Sequence, residues 1–376
     1  MGVFKNLFQG TGNNDKNPFY VRATMIMLGL VLFFYIMLIL RDVLVPLCFA
    51  LLISILLNPL VNRLMQLGIH KISAISLALL VAIIGITIIF VFLTSQAGQF
   101  IEMAPEFQDR ASKILDIIQK WIRNTFNVPI YKQDEVIANT MNNSQDFVAK
   151  ALGSIFSFLA ATILLPIYTF LILYYKPLFL NFIYEVFEDK YENRVADVLQ
   201  ETKGAIQAYI VGLLIETAIV AGLNSAALLL LGVEYAILLG IIGGILNLIP
   251  YVGGLVAIAL PVGMSMVTSD GNYTTPLLII AAYSVIQFLD NNVLVPRIVS
   301  SKVDVNAFVT IVIVLLGAAI WGVPGMFLSV PFIAVCKIIF DRIPQLQPWG
   351  KLLGVTIGEP PPPREVVSKI DEEAME

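Results

Sequence analysis

Long uncharged runs of apolar residues, each closed by a short polar or charged stretch, recur along most of the chain. Runs of about 18 apolar residues or more fit helices that cross a bilayer. Residues 23–40 form the first. Arg41-Asp42 turns the chain into a second, residues 43–62, which Pro46 and Pro59 are placed to kink. Arg63, His70 and Lys71 separate it from a third, residues 72–94. A fourth occupies 151–175, with Pro166 inside it, a fifth 204–232, and another 275–295. The pattern predicts an all-α, polytopic integral membrane protein. It has about six full spans and, with two further stretches that fit less simply, about eight hydrophobic segments.

Those two stretches are the most informative part of the chain. Residues 235–267 carry no charge over 33 positions and are interrupted by Gly243-Gly244, Pro250, Gly253-Gly254 and Pro261. Residues 307–340 carry only Lys337 over 34 positions and are interrupted by Gly317, Gly322, Pro324, Gly325 and Pro331. At ~1.5 Å per residue each would make a helix of roughly 50 Å, against a hydrocarbon core of ~30 Å. Broken helices at membrane depth persist only where protein or a water-lined cavity satisfies the freed backbone groups. A pair of them points to a transport site.

Charge then assigns sides, because Lys and Arg accumulate in short cytoplasmic loops. Residues 1–22, with Lys5, Lys16 and Arg22, read as a cytoplasmic lead, and the loop at 63–71 as cytoplasmic too. Residues 97–150 then form an extracytoplasmic insertion. In it Phe107, Ile114, Ile118, Ile122 and Phe126 recur at helical spacing between charges, which predicts an amphipathic helix. A second amphipathic segment at 176–203 is expected along the inner surface. With 235–267 and 307–340 as re-entrant hairpins, the turn at 268–274 lies outside without Lys or Arg. Arg297, Lys302, Lys337, Arg342 and Lys351 all reach the cytoplasm. Reading each stretch as one kinked span puts Arg297 and Lys302 outside, against the rule. The hairpin reading is the better one, with both termini in the cytoplasm of a cell that carries the protein in its inner membrane. Residues 343–376, with Pro360 to Pro363 and an acidic end, read as a disordered tail.

Composition narrows the function classes. Hydrophobic residues make up 58% and charged residues 13%, against about 45–50% and ~25% in soluble domains. A formal charge of −4 is too small and dispersed to imply a nucleic-acid partner. Cys48 and Cys336 both lie in apolar runs, so no disulfide framework follows. One histidine and two separated cysteines make a His/Cys metal site implausible. No Gly-rich phosphate loop ends in Lys-Ser/Thr. The sequence therefore suggests neither an enzyme nor a cofactor.

Ionisable residues inside apolar segments cost about 2.5–3.5 kcal/mol at a helix centre and mark function or tight pairing. Glu216 sits mid-span in Leu213-Leu214-Ile215-Glu216-Thr217. Asp290 leads Asp290-Asn291-Asn292 at the end of a span, and Arg297 follows Pro296. Glu216 suits a cation, proton or polyol contact as well as a structural hydrogen bond. For Asp290 and Arg297, mutual pairing near the interface competes with a role as gate or substrate contact. Asn224 and Asn247 are weaker signals, since Asn commonly joins helices. Gly240 and Gly244 form a small-xxx-small pair that favours close helix packing.

Three motifs in order now carry a resemblance. Ile249-Pro250-Tyr251-Val252-Gly253-Gly254, then Asp290-Asn291-Asn292-Val293-Leu294-Val295-Pro296-Arg297, then Trp321-Gly322-Val323-Pro324-Gly325-Met326-Phe327-Leu328-Ser329-Val330-Pro331 resemble successive motifs of the autoinducer-2 exporter (AI-2E) family. One departure stands at Val305-Asn306-Ala307, where the family often reads Leu-His-Pro. The resemblance implies a secondary transporter in membrane lipid, assembled as a homo-oligomer, with five subunits the suggested count. It implies export of a small polar solute resembling autoinducer-2, or exchange of sodium or lithium for protons. The transport path would then draw on Glu216, Asn247, Pro250, Gly253, Gly254, Asp290, Asn291, Asn292, Arg297, Pro324, Gly325 and Pro331. A non-transporting scaffold, binding partners through its amphipathic segments, is a third reading.

Overall fold

The computed structural model describes residues 19–102, 119–120, 122–126, 129–130, 133, 164–187, 191–249, 253–268, 273–299 and 305–355. The expected amphipathic helix at 107–126 falls mostly outside these residues, as do Pro250, most of the turn at 268–274, and the tail beyond 355. The described residues are helical, and the chain is an all-α polytopic membrane protein. Among the described residues, six helices are long and apolar enough to cross a membrane.

Helix α1, Phe19–Ile39, belongs to a compact unit of its own that ends at Leu44. Its apolar side chains point outward around the whole helix, as for Leu28, Phe33 and Ile36, which suits a lipid surrounding.

The second unit begins at Val45. Helices α2 (Arg41–Gln66), α3 (Lys71–Glu102) and α4 (Leu164–Val186) meet at Leu57, Val61, Ala74, Ile75, Ala78 and Leu173. Two lysines tie off this bundle. Lys71 Nζ donates to the Tyr174 carbonyl at 2.7 Å, and Lys176 Nζ donates to Asn58 Oδ1 at 2.9 Å. The amphipathic stretch at 176–203 divides between elements. Its first part extends α4, and its last part opens α5, a continuous helix at Glu192–Leu230. Helix propensity through 192–203 continues the span without a break, because no Gly or Pro intervenes until Gly204.

Both awkward stretches are helical hairpins. The first comprises α6 (Ala236–Asn247) and α7 (Gly253–Thr268). The arms are antiparallel, since a Cβ on Gly253 would run into the Leu246 carbonyl and one on Gly243 would lie 3.5 Å from Ala257 Cβ. A Cβ on Gly244 would come within 2.9 Å of the Ala221 Cα, so its absence lets α6 lie directly on α5. Apolar side chains gain little by leaving lipid, and small residues at the contact supply the packing instead.

The second hairpin comprises α9 (Ala307–Trp321) and α10 (Val323–Arg342), turning at Gly322 with φ 65°. That φ is open to glycine at little cost. Gly317 and Gly325 meet backbone to backbone, and Ser329 Oγ donates to the Ile313 carbonyl at 2.9 Å and to the Gly325 carbonyl at 2.6 Å. At 20 residues α10 is long enough to cross by itself, so this hairpin has unequal arms. Between the hairpins lies α8, Thr274–Leu289, which continues as a π-helical stretch over Asp290–Val299. Helix α11, Gln347–Leu353, closes the described chain.

Candidate functional site

Three elements deliver polar side chains to one depth. Leu228 of α5, Ala236 of α6 and Ile279 of α8 share one buried cluster, so these helices run inward from a common end. From that end Glu216 lies 14 residues along α5, Asn247 lies 11 along α6, and Asp290 lies 16 beyond the start of α8. At ~1.5 Å per residue all three sit roughly 20 Å in, well inside a ~30 Å core. Asn247 reaches this level because α6 stops there and the chain turns back through Gly253. Asp290 reaches it where α8 changes from α to π winding. Its N–H still bonds back into α8, to the Ile286 and Gln287 carbonyls. Pro296, four residues after Asn292, has no N–H to return to that carbonyl, and π turns of this kind recur at functional sites.

The geometry is that of two acids sharing one amide. Asn247 Nδ2 donates to Glu216 Oε1 at 2.8 Å and to Asp290 Oδ2 at 2.9 Å. With both acids ionised, only the NH2 end of the amide can face them, because a carboxylate accepts and does not donate. Glu216 is 3% exposed and Asp290 2%. Asp290 Oδ1 is buried with no partner. No ion pair reaches either acid among the described residues, and no group of three metal-binding side chains forms there. Charged together, the two carboxylates would repel each other, and desolvation would add to that cost. A neutral amide offsets part of this cost and leaves the pair suited to holding a proton or a small cation.

Of the positions singled out from sequence, Glu216, Asn247 and Asp290 come together. Pro250 lies outside the described residues, and the other transport-path candidates do not join them. Asn291 accepts from Gln287 Nε2 at 3.4 Å, and Asn292 Nδ2 donates back to the Phe288 carbonyl at 2.8 Å, both on the exposed side. Arg297 is exposed and makes no ion pair with Asp290. Gly253 and Gly254 shape the hairpin tip, where a Cβ on Gly254 would lie 2.5 Å from Gln287 Oε1. Pro324 opens the first turn of α10, and Gly325 and Pro331 are buried within the second hairpin. That hairpin packs through Leu328 near Tyr209, two turns from Glu216 along α5.

Sequence reading passed over Tyr283 and Thr217, and ranked Asn224 low. Tyr283 stands seven residues before Asp290, and Asn224 eight after Glu216, so both continue the inward faces of the acids. That spacing was a usable signal. The departure at Asn306 also gains a role. Its side chain caps α9 through the Val309 N–H at 2.9 Å, and its Nδ2 donates to the Leu352 carbonyl at 2.8 Å.

The chain is similar to known proteins. The profile of the AI-2E family transporters matches residues 25–345. YhhT of Escherichia coli (strain K12) is 24% identical over 300 residues, covering 79% of this chain and 84% of its own. The AI-2 transport protein TqsA of the same strain is 24% identical over 308 residues, covering 80% and 86%. YueF of Bacillus subtilis (strain 168) is 26% identical over 231 residues, covering 60% and 62%. With that match across most of its length, this chain belongs to the AI-2E family of transporters.

Proposed function

We propose that the protein is an ion-coupled secondary transporter whose coupling site is the Glu216–Asn247–Asp290 cluster. The observation that carries this reading is the sharing of one side-chain amide NH2 group by two buried carboxyl groups at the tip of a helical hairpin. Such a pair is stable when it holds a proton or a monovalent cation and strained when it holds neither. It therefore exchanges one occupant for the other as access alternates between the two sides. The pairing of the cluster with a hairpin tip supports placing the moving element at α6 and α7.

The test uses the full-length protein in liposomes loaded with a pH-sensitive dye. A preset pH gradient should collapse on adding sodium or lithium, or a transported solute, and Glu216→Gln should abolish the response. An unchanged response in Glu216→Gln overturns the assignment. A second reading has its own support. One relative carries the name AI-2 transport protein, which favours outward movement of a small polar solute, with the exposed backbone of the hairpin tips hydrogen-bonding it. Solute efflux from loaded vesicles that is indifferent to pH and to sodium would favour that reading over ion exchange. The same preparation serves to count subunits, for which the reading expects a homo-oligomer.

A further inference from the structure

Three lysines gather at the end of the bundle that α2 and α4 reach and from which α3 and α5 start back. Lys71 opens α3, and its Nζ donates to the Tyr174 carbonyl at 2.7 Å while lying 5.0 Å from the centre of the Tyr174 ring. Lys176 follows Tyr174 by two residues on α4 and donates from Nζ to Asn58 Oδ1 of α2 at 2.9 Å. Lys203 of α5 lies three residues before Ile206, which shares a buried cluster with Ile55 and Leu56 of α2. Asn58 lies three residues beyond Ile55, and α5 runs opposite to α2, so Lys203 emerges at the Asn58 level. The charges of Lys203 and Lys71 both act on Lys176. Lys71 and Lys176 are half-buried and Lys203 is exposed, so the cluster opens on the surface.

The partners these lysines find in the protein are neutral. No ion pair reaches any of the three among the described residues, and the acids just before Lys203 on α5, Asp197 and Glu201, are taken by Arg342 at 3.8 and 2.7 Å. A lysine at a membrane boundary commonly extends its ammonium into water. Lys71 and Lys176 instead turn theirs back onto the bundle. Each ammonium has three N–H donors, of which the protein engages one on Lys71 and one on Lys176. Like charges held together without an acid repel one another, and an anion among them removes that cost. Leu67 and Ile72 near Lys71, and Leu178 and Phe179 near Lys176, are exposed, so the surround of the cluster is apolar.

We propose that Lys71, Lys176 and Lys203 form a site for the phosphate group of an anionic phospholipid, whose acyl chains lie along the apolar outer faces of α3 and α4. Phosphate oxygens accept from several ammonium groups at once, and basic pockets between membrane helices hold such headgroups. The apolar surround selects a lipid over a free anion, because only the lipid covers Leu178 and Phe179 while it neutralises the lysines. The site lies apart from the Glu216–Asn247–Asp290 cluster and does not depend on how that cluster works. Because its lysines come from three helices, a bound phosphate ties α3, α4 and α5 together at one end, and it stabilises the folded state by mass action.

The test is thermal unfolding of the purified full-length protein in a neutral detergent, with phosphatidylglycerol, phosphatidylcholine or inorganic phosphate added. Phosphatidylglycerol should raise the unfolding temperature, and the dependence on its concentration gives an affinity. Lys203→Gln and Lys176→Gln should each weaken that affinity roughly fivefold. Lys203 is exposed, so its replacement keeps the fold, and a Gln at 176 can still donate to Asn58. Arg63→Gln removes an exposed positive charge from the same end of α2, outside the cluster, and should leave the affinity unchanged. Equal weakening in Arg63→Gln means diffuse attraction to a basic surface and overturns the site. A shift of the same size with phosphatidylcholine, or none with phosphatidylglycerol, overturns it as well. Inorganic phosphate reproducing the shift makes the ligand a free anion and overturns the lipid assignment.

Discussion

At the residue scale, the acid pair separates stability from function. Glu216→Gln keeps the shape of the side chain and removes one of two like charges held by a single amide. Its expected effect is an unfolding temperature equal to or above that of the unmodified protein, with ion-coupled flux lost. Asn247→Ala has the opposite signature. It removes both hydrogen bonds and leaves two carboxyl groups facing each other, and hydrogen bonds to charged groups contribute about 1.5–3 kcal/mol each. Its unfolding temperature should fall clearly, and adding Glu216→Gln to it should recover part of the loss, because the charge–charge repulsion it exposes is then removed. Thermal unfolding in detergent of the two single variants and the double variant checks this. If Asn247→Ala melts as the unmodified protein does, the shared amide has no energetic role. Asn306 is a second residue whose side chain spans elements. Asn306→Ala loses the α9 cap, which contributes about 1 kcal/mol, and also the bonds from Nδ2 to the Leu352 and Gly354 carbonyls at 2.8 and 3.2 Å. Limited proteolysis should therefore cut near α11 faster in that variant.

At the element scale, glycine placement distinguishes contact from mere flexibility. A Cβ on Gly253 would meet the Leu246 carbonyl, whereas one on Gly263, in the same helix, meets nothing within 4 Å. Gly263→Ala is expected to be neutral or to stabilise by about 0.5–1 kcal/mol through helix propensity. Gly253→Ala must open the hairpin tip, and such overpacking typically costs about 1–3 kcal/mol. Because the tip carries Asn247, transport should fall with it. Thermal unfolding and flux measured together would expose an error if both variants behaved alike. The same contrast explains what was legible in the sequence. Gly and Pro inside uncharged runs too long for one crossing marked both hairpins, since helix length and bilayer thickness are fixed quantities. Glu216 and Asp290 were visible as charges in apolar surroundings. Their meeting through Asn247 was not, because it depends on the register between α5, α6 and α8, which Gly240 and Gly244 set by close backbone approach. The division of 176–203 was hidden for a related reason. Amphipathic spacing continues across 187–191 and does not reveal where one helix ends and the next begins.

At the scale of the whole molecule, the two hairpins decide how the chain threads the membrane. In the first, Tyr235 packs against the cluster that also holds Met264 of the returning arm, so 235–267 leaves from and returns to one end of the bundle. An even number of passes there, followed by one pass of α8 and a returning second hairpin, places residue 273 and residue 349 on opposite sides. One kinked span at each stretch would place them on the same side. Tyr273 and Trp349 are both exposed, which makes them suitable reporters once Cys48 and Cys336 are replaced by Ser. Tyr273→Cys should react with a membrane-impermeant maleimide added to intact cells, and Trp349→Cys should react only after the membrane is opened. Labelling of both from one side would remove the re-entrant topology. It would also move the acid cluster away from a hairpin tip that faces a single aqueous compartment, and the alternating-access reading of Glu216 and Asp290 depends on that tip. The labelling pattern and the Glu216→Gln flux measurement are therefore linked outcomes, and a coupled transporter of this design requires both.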